Sequence, residues 1–132
     1  MSLTSPIGTK TNNMIQVQDW DNPKGYKRIL ITDEEHEASI QVDILEEEIK
    51  QRYEGADALV YALWVDDFSR RQGVGAYLLH KAEKMAKEYR CKSVCLTWDD
   101  REAPQWVHDW YVRQGYEDTV FDDYKILMTK GL

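Results

Sequence analysis

Leu63-Trp-Val-Asp-Asp-Phe-Ser-Arg-Arg-Gln-Gly-Val-Gly-Ala-Tyr-Leu-Leu79 decides how this chain folds. An apolar run gives way to a polar turn with two glycines, and the turn opens an amphipathic helix. Such an arrangement leaves backbone N–H groups and a helix dipole where a phosphate can sit. Gly73 and Gly75 carry no Cβ, so a ligand can come close to the backbone. Arg70 and Arg71 add positive charge beside them. The spacing is that of neither a Walker loop nor a G-x-G-x-x-G dinucleotide fingerprint. A glycine-bearing strand-to-helix turn without a ligand would read the same on this loop alone.

Working outward, Ala58 to Val65 is almost wholly apolar, as a central strand is. From Gly73 to Tyr89, Val74, Leu78, Ala82, Met85, Ala86 and Tyr89 form one helical stripe, and Lys81, Glu83, Lys84, Lys87 and Glu88 fill the rest. Val94 to Trp98 returns as a strand. Strand, helix and strand in this order imply a right-handed crossover between parallel strands. Pro104 opens a further helix that Gly115 ends. Tyr116 to Val120 and Tyr124 to Thr129 read as two strands about a turn at Asp122-Asp123. Upstream, Tyr26 to Thr32 and Ala38 to Ile44 read as a hairpin about Asp33-Glu-Glu-His36, and Met14 to Val17 as a short strand. Asp21-Asn-Pro-Lys-Gly25 is turn chemistry. Leu45, Ile49 and Tyr53 predict a short helix stopped by Gly55. Met1 to Asn13 reads as a polar arm on one domain spanning residues 1–132, without internal repeats.

The totals narrow the classes. At 132 residues with 42% hydrophobic content, the chain can build one real core. A formal charge of −7 argues against nucleic acid as a partner and fits a cationic or amine-bearing one, or solubility alone. Cys91 and Cys95 lack a Cys-x-x-Cys spacing, and Cys95 reads as a buried free thiol. His36, His80 and His108 offer no metal spacing. No run nears the ~20 apolar residues that span a bilayer, and Met1 to Asn13 has no signal-peptide core. A reducing cytoplasm is the expected setting.

Two motifs then resemble one family. Arg70, Gly73 and Gly75 fall on the Gln/Arg-x-x-Gly-x-Gly/Ala coenzyme A motif of the GNAT superfamily of N-acetyltransferases. Downstream, Trp110-Tyr-Val-Arg-Gln-Gly-Tyr116 resembles its aromatic-Tyr-x-x-x-Gly-aromatic signature. Tyr124-Lys-Ile-Leu-Met-Thr-Lys130 is similar to its closing strand. The match runs over residues 58 to 132. It implies that backbone amides of Gln72, Gly73, Val74, Gly75 and Ala76, beside Arg70 and Arg71, hold the pyrophosphate of acetyl-CoA. It implies main-chain groups of Trp64 and Val65 along the pantetheine arm, and Tyr111 as the acid that protonates the leaving thiolate.

The sequence departs from that family twice. Pro104 stands where an Asn contacts pantetheine, and too few residues precede Tyr26 for the two helices that wall the acceptor site. The expected fold is therefore mixed α/β, a GNAT-like acyl-CoA N-acyltransferase fold lacking most of the first two helices. The expected activity is acetyl transfer to a primary amine of a small molecule or protein by direct attack in a ternary complex. A non-catalytic acyl-CoA-binding or interaction module is the alternative. Asp66, Asp67, Asp99 and Asp100, at the ends of two parallel strands, are candidate acceptor residues, with one carboxylate's pKa raised toward a general base. Loop solvation is the plainer reading of the four. His108 reads as a surface or packing residue. Trp98, Trp106 and Trp110 suit a core or a homodimer surface equally.

Overall fold

The computed structural model describes residues 15–23, 26–66 and 73–132. Its strands are β1 (Ile15–Asn22), β2 (Tyr26–Asp33), β3 (Ala38–Leu45), β4 (Ala58–Val65), β5 (Ser93–Asp99), β6 (Glu117–Asp122) and β7 (Lys125–Gly131). Its helices are α1 (Glu47–Lys50), α2 (Val74–Glu88) and α3 (Gln105–Arg113), with a 3-10 turn at Gln51–Tyr53. The strands form one sheet in the order β1-β2-β3-β4-β5-β7-β6. Among the described residues, only the β4–β5 pair is parallel.

Alternation builds the core. In the β2–β3 register Ile29 faces Val42 and Ile31 faces Ile40, and all four are fully buried. The α2 stripe Val74, Leu78, Leu79, Ala82 and Ala86 packs on that side of the sheet, with Ala58 and Val60 of β4. Each fully buried Leu or Ile contributes roughly 1.5–3 kcal/mol. The opposite side of β2, β3 and β4 carries a polar cluster. There Asp43, 4% exposed, accepts two hydrogen bonds from Arg28 at 3.0 and 3.1 Å and one from the Tyr61 hydroxyl at 3.1 Å.

Three local expectations change. Leu45 ends β3 instead of starting a helix, and the following helical segment is one α-turn and one 3-10 turn. It ends at left-handed Glu54 (φ 55°) followed by Gly55 (φ 82°). β1 is longer than expected and runs through Asp21 and Asn22, with Asn22 paired to Tyr26. Glu83, expected on the solvent side of α2, is 7% exposed. β1 and β2 join as an antiparallel pair through residues 23–25, so no helix lies between them.

Candidate active site

The site begins with a break in β4. Ser39 pairs with Trp64 and Gln41 with Tyr61, so one residue of β3, Ile40, faces two of β4, Ala62 and Leu63. Ala62 takes a left-handed backbone (φ 54°) to hold this bulge. A bulge bends its strand and sharpens the local twist. The parallel ladder to β5 holds at Ala58–Val94 and Leu59–Cys95 and then ends. Beyond that point β4 and β5 part around a cavity of about 570 Å³. Leu59, Leu63, Leu79, Leu96, Trp98 and Tyr111 are among its lining residues.

The first turn of α2 stands at the end of β4. Gly73 starts the helix at φ 76°, and among the described residues no side chain caps it. The N–H groups of Val74, Gly75 and Ala76 have no carbonyl inside the helix to bond. A Cβ at Gly75 would lie 3.6 Å from the Trp110 ring and 3.7 Å from Val65 Cγ2, which is ordinary packing distance. This places the uncapped amides beside both β4 and α3. The arrangement fits the diphosphate of coenzyme A: amides and dipole stand at the helix start, beside the end of β4. Val65 and Asp66 are half-buried, and Trp64 is exposed. Asp67, Arg70, Arg71 and Gln72 lie outside the described residues.

Tyr111 enters the same cavity from α3. Its ring packs between Trp110 and Tyr116, with centroids 5.4 and 6.1 Å away. Its hydroxyl has no hydrogen-bond partner among the described residues, whereas that of Tyr61, also on the cavity wall, is given to Asp43. Burial pushes the Tyr111 phenol above its usual pKa of 10.0. It therefore holds its proton at neutral pH and is free to donate it. Pro104 stands at the N-cap of α3, and Gly115 takes φ 102° past its end.

Asp66 and Asp99 do not stand on paired strand ends. The β4–β5 ladder stops six residues before Val65, so the strand ends bearing Asp66 and Asp99 flank the opening. Asp99 lines the cavity but spends both oxygens on Arg101, which donates to them at 3.2 and 2.9 Å. That ion pair holds the Asp99 carboxyl below the usual range, opposite to a raised general base. Asp100 is exposed in the following turn. Sequence reading passed over Thr97, Lys125 and Trp98 as cavity wall. Strand alternation from Asp99 reaches Thr97, and the β5–β7 register, invisible in sequence, supplies Lys125.

His108 is enclosed between Trp98 (centroids 5.3 Å) and Asp118, whose carboxylate lies 2.8 Å from Nε2. Trp98 is buried, Trp110 half-buried and Trp106 60% exposed. Cys91 and Cys95 are free and buried, and burial pushes the Cys95 thiol up to about 12. Among the described residues, no group of three His, Cys, Asp or Glu is placed to hold a metal, and no helix is long and apolar enough to cross a membrane.

Residues 25–118 match the family model described as Acetyltransferase (GNAT) domain. The chain belongs to the GNAT acetyltransferase family. Solved GNAT structures share its fold at low identity. A Klebsiella pneumoniae protein described as an acyl-CoA N-acyltransferase is 19% identical over 90% of this chain and 98% of its own, with a TM-score of 0.63. PaiA N-acetyltransferase from Thermoplasma acidophilum, solved with coenzyme A, is 17% identical over 80% of this chain and 60% of its own, at 0.61. An acetyltransferase from Bacillus cereus is 21% identical over 93% and 80%, at 0.58. No curated protein matches the chain in sequence. The GNAT core accounts for β2 through α3 and the start of β6 within the matched span.

Proposed function

We propose that this GNAT protein transfers an acetyl group from acetyl-CoA to a primary amine by direct attack in a ternary complex. The observation that carries the reading is Tyr111, a protonated phenol without a hydrogen-bond partner among the described residues, at the gap between β4 and β5. Amides of Gly73, Val74, Gly75 and Ala76, with Gln72, Arg70 and Arg71 before them, hold the pyrophosphate. Main-chain groups of Trp64 and Val65 orient the pantetheine arm. Acetyl-CoA supplies an activated thioester. Tyr111 keeps a proton at its hydroxyl for the departing thiolate sulfur. Asp66, Asp67 and Asp100 draw the amine toward the opening, while Asp99 shapes the wall through Arg101.

One observation favours the second reading, a non-catalytic acyl-CoA-binding module: β1 and β2 are joined directly, without helices to wall an acceptor. Thermal melting with acetyl-CoA, with CoA and without ligand, followed by thiol release across a panel of amines, separates the two. Acetyl transfer predicts stabilisation by both ligands and amine-dependent thiol release. Stabilisation without release would favour the binding module. No stabilisation at saturating ligand would remove both.

A further inference from the structure

We infer that Glu83 is a positioning residue for Tyr111, locking the end of α3 to α2 through Tyr116 and Lys130. The inference rests on the reading of Tyr111 as the acid. Both carboxylate oxygens of Glu83 are occupied. The Tyr116 hydroxyl donates to one at 2.7 Å and Lys130 Nζ donates to the other at 2.9 Å. Lys130 Nζ also donates to the Gln114 carbonyl at 2.8 Å, and the Tyr116 backbone N–H donates to the Tyr111 carbonyl at 3.1 Å. The Tyr116 ring in turn meets the Tyr111 ring edge-on. A continuous run of contacts thus joins Glu83 to the residue that faces the cavity.

Placement gives the run its meaning. Tyr116 is 1% exposed and Glu83 7%, so their hydrogen bond is shielded from water, and Lys130 closes the network from the half-buried side. Glu83 lies on the helix whose first turn forms the anion cradle, about 12 Å along its axis. Tyr111 lies on the helix that this network ties down. The cradle and the acid therefore have their spacing set by one carboxylate. A buried ion pair adds little stability over apolar residues of the same volume. Charge-assisted bonds in fixed directions instead set the depth and angle of the α3 end. Gly115 belongs to the same device, because a Cβ there would lie 3.2 Å from Lys130 Cε.

The test replaces the network by apolar groups of similar shape, in the variant Glu83→Leu/Tyr116→Phe/Lys130→Met. Removing all partners together leaves no orphaned charge. Glu83→Gln, which keeps shape and one acceptor, serves with the same spectral and kinetic expectation should the triple variant not fold, at a lower Tm because Lys130 loses its counter-charge. Carbon-13 NMR of ζ-labelled tyrosine follows Tyr111, its signal identified by loss in Tyr111→Phe. The expected result is a shifted or split Tyr111 signal at a Tm near wild type. Thiol-release kcat then falls about tenfold, with KM for acetyl-CoA within about twofold. A wild-type Tyr111 signal in a folded variant would overturn the inference. Lack of thiol release by the wild-type protein would refute the transfer reading alone, and the NMR comparison would still decide the role of Glu83.

Discussion

At the scale of single residues, groups that shape the fold can be told from groups proposed to meet a ligand. Tyr111 is proposed as one of the second kind. Tyr111→Phe keeps the ring packing and is expected to melt near wild type while lowering thiol-release kcat about a hundredfold, with acetyl-CoA affinity unchanged. Because burial holds the phenol protonated, any fall in kcat caused by its ionisation begins only above about pH 10. The two glycines divide in the same way. Gly73 sits at φ 76°, so Gly73→Ala costs about 1 kcal/mol of stability. Gly75 is helical and its missing Cβ would meet only ordinary contacts. Gly75→Ala is thus expected to leave Tm equal or higher, while calorimetric titration shows coenzyme A binding weakened at least about tenfold. Equal loss of stability in both variants would mean that Gly75 serves packing and not a ligand. These roles were partly legible beforehand. Tyr111 stands out only through the resemblance of its signature to the family's, and Gly115 announces itself as a helix end. The reason for each glycine does not, since a positive φ and an open approach look alike in one letter.

At the scale of elements, the strands and helices followed from periodicity, and the breaks between them did not. β4 and α2 fall where an unbroken apolar run and a helical stripe place them. The bulge at Ala62 left no trace, because alanine is an uncommon resident of left-handed backbone and nothing beside it signals a turn. Glu83 was invisible for a related reason. It sits in a run of charged residues, Lys81, Glu83 and Lys84, that reads as a solvated face, and its partners Tyr116 and Lys130 come from far along the chain. Pairing distance hides such residues from any local pattern. The bulge carries its own prediction. Ala62→Val puts a β-branched side chain at φ 54°, which costs about 2 kcal/mol in urea unfolding if the bulge persists. If the strand instead straightens, β4 slips by one residue, Trp64 and Val65 exchange faces, and coenzyme A affinity is lost. Ala62→Gly relieves the backbone and is expected to bind as wild type. An Ala62→Val protein that is as stable and binds as well as wild type would show that the bulge does not open the gap.

At the scale of the whole molecule, stability should be greatest in a window set by two kinds of ionisable group. Asp57, Asp99 and Asp109 are held below the usual carboxylate range. The first bonds the Lys92 backbone N–H at 2.6 Å, the second pairs with Arg101, and the third accepts from Gln105. A depressed carboxylate favours the folded state above its unfolded pKa. As pH falls below about 4 the unfolded chain takes up protons first, and that contribution fades. His108 acts in the other direction. Burial pulls its pKa down, but hydrogen bonds to Asp118 and Asp109 outweigh this, and the net shift is upward. Its contribution is complete below the usual histidine value of 6.5 and disappears as pH rises through the folded value. Tm is therefore expected to level off between about pH 4 and 6.5 and to decline on both sides. His108→Gln should lower Tm at pH 5.5 more than at pH 8, because the charged imidazole contributes in full at the former and less as pH rises through its raised pKa. The acid limb persists in that variant, since Asp57 and Asp99 keep their partners. Scanning calorimetry across pH 3 to 9 checks both limbs at once. An equal loss at pH 5.5 and pH 8 would assign His108 to packing against Trp98 and not to its ion pairs.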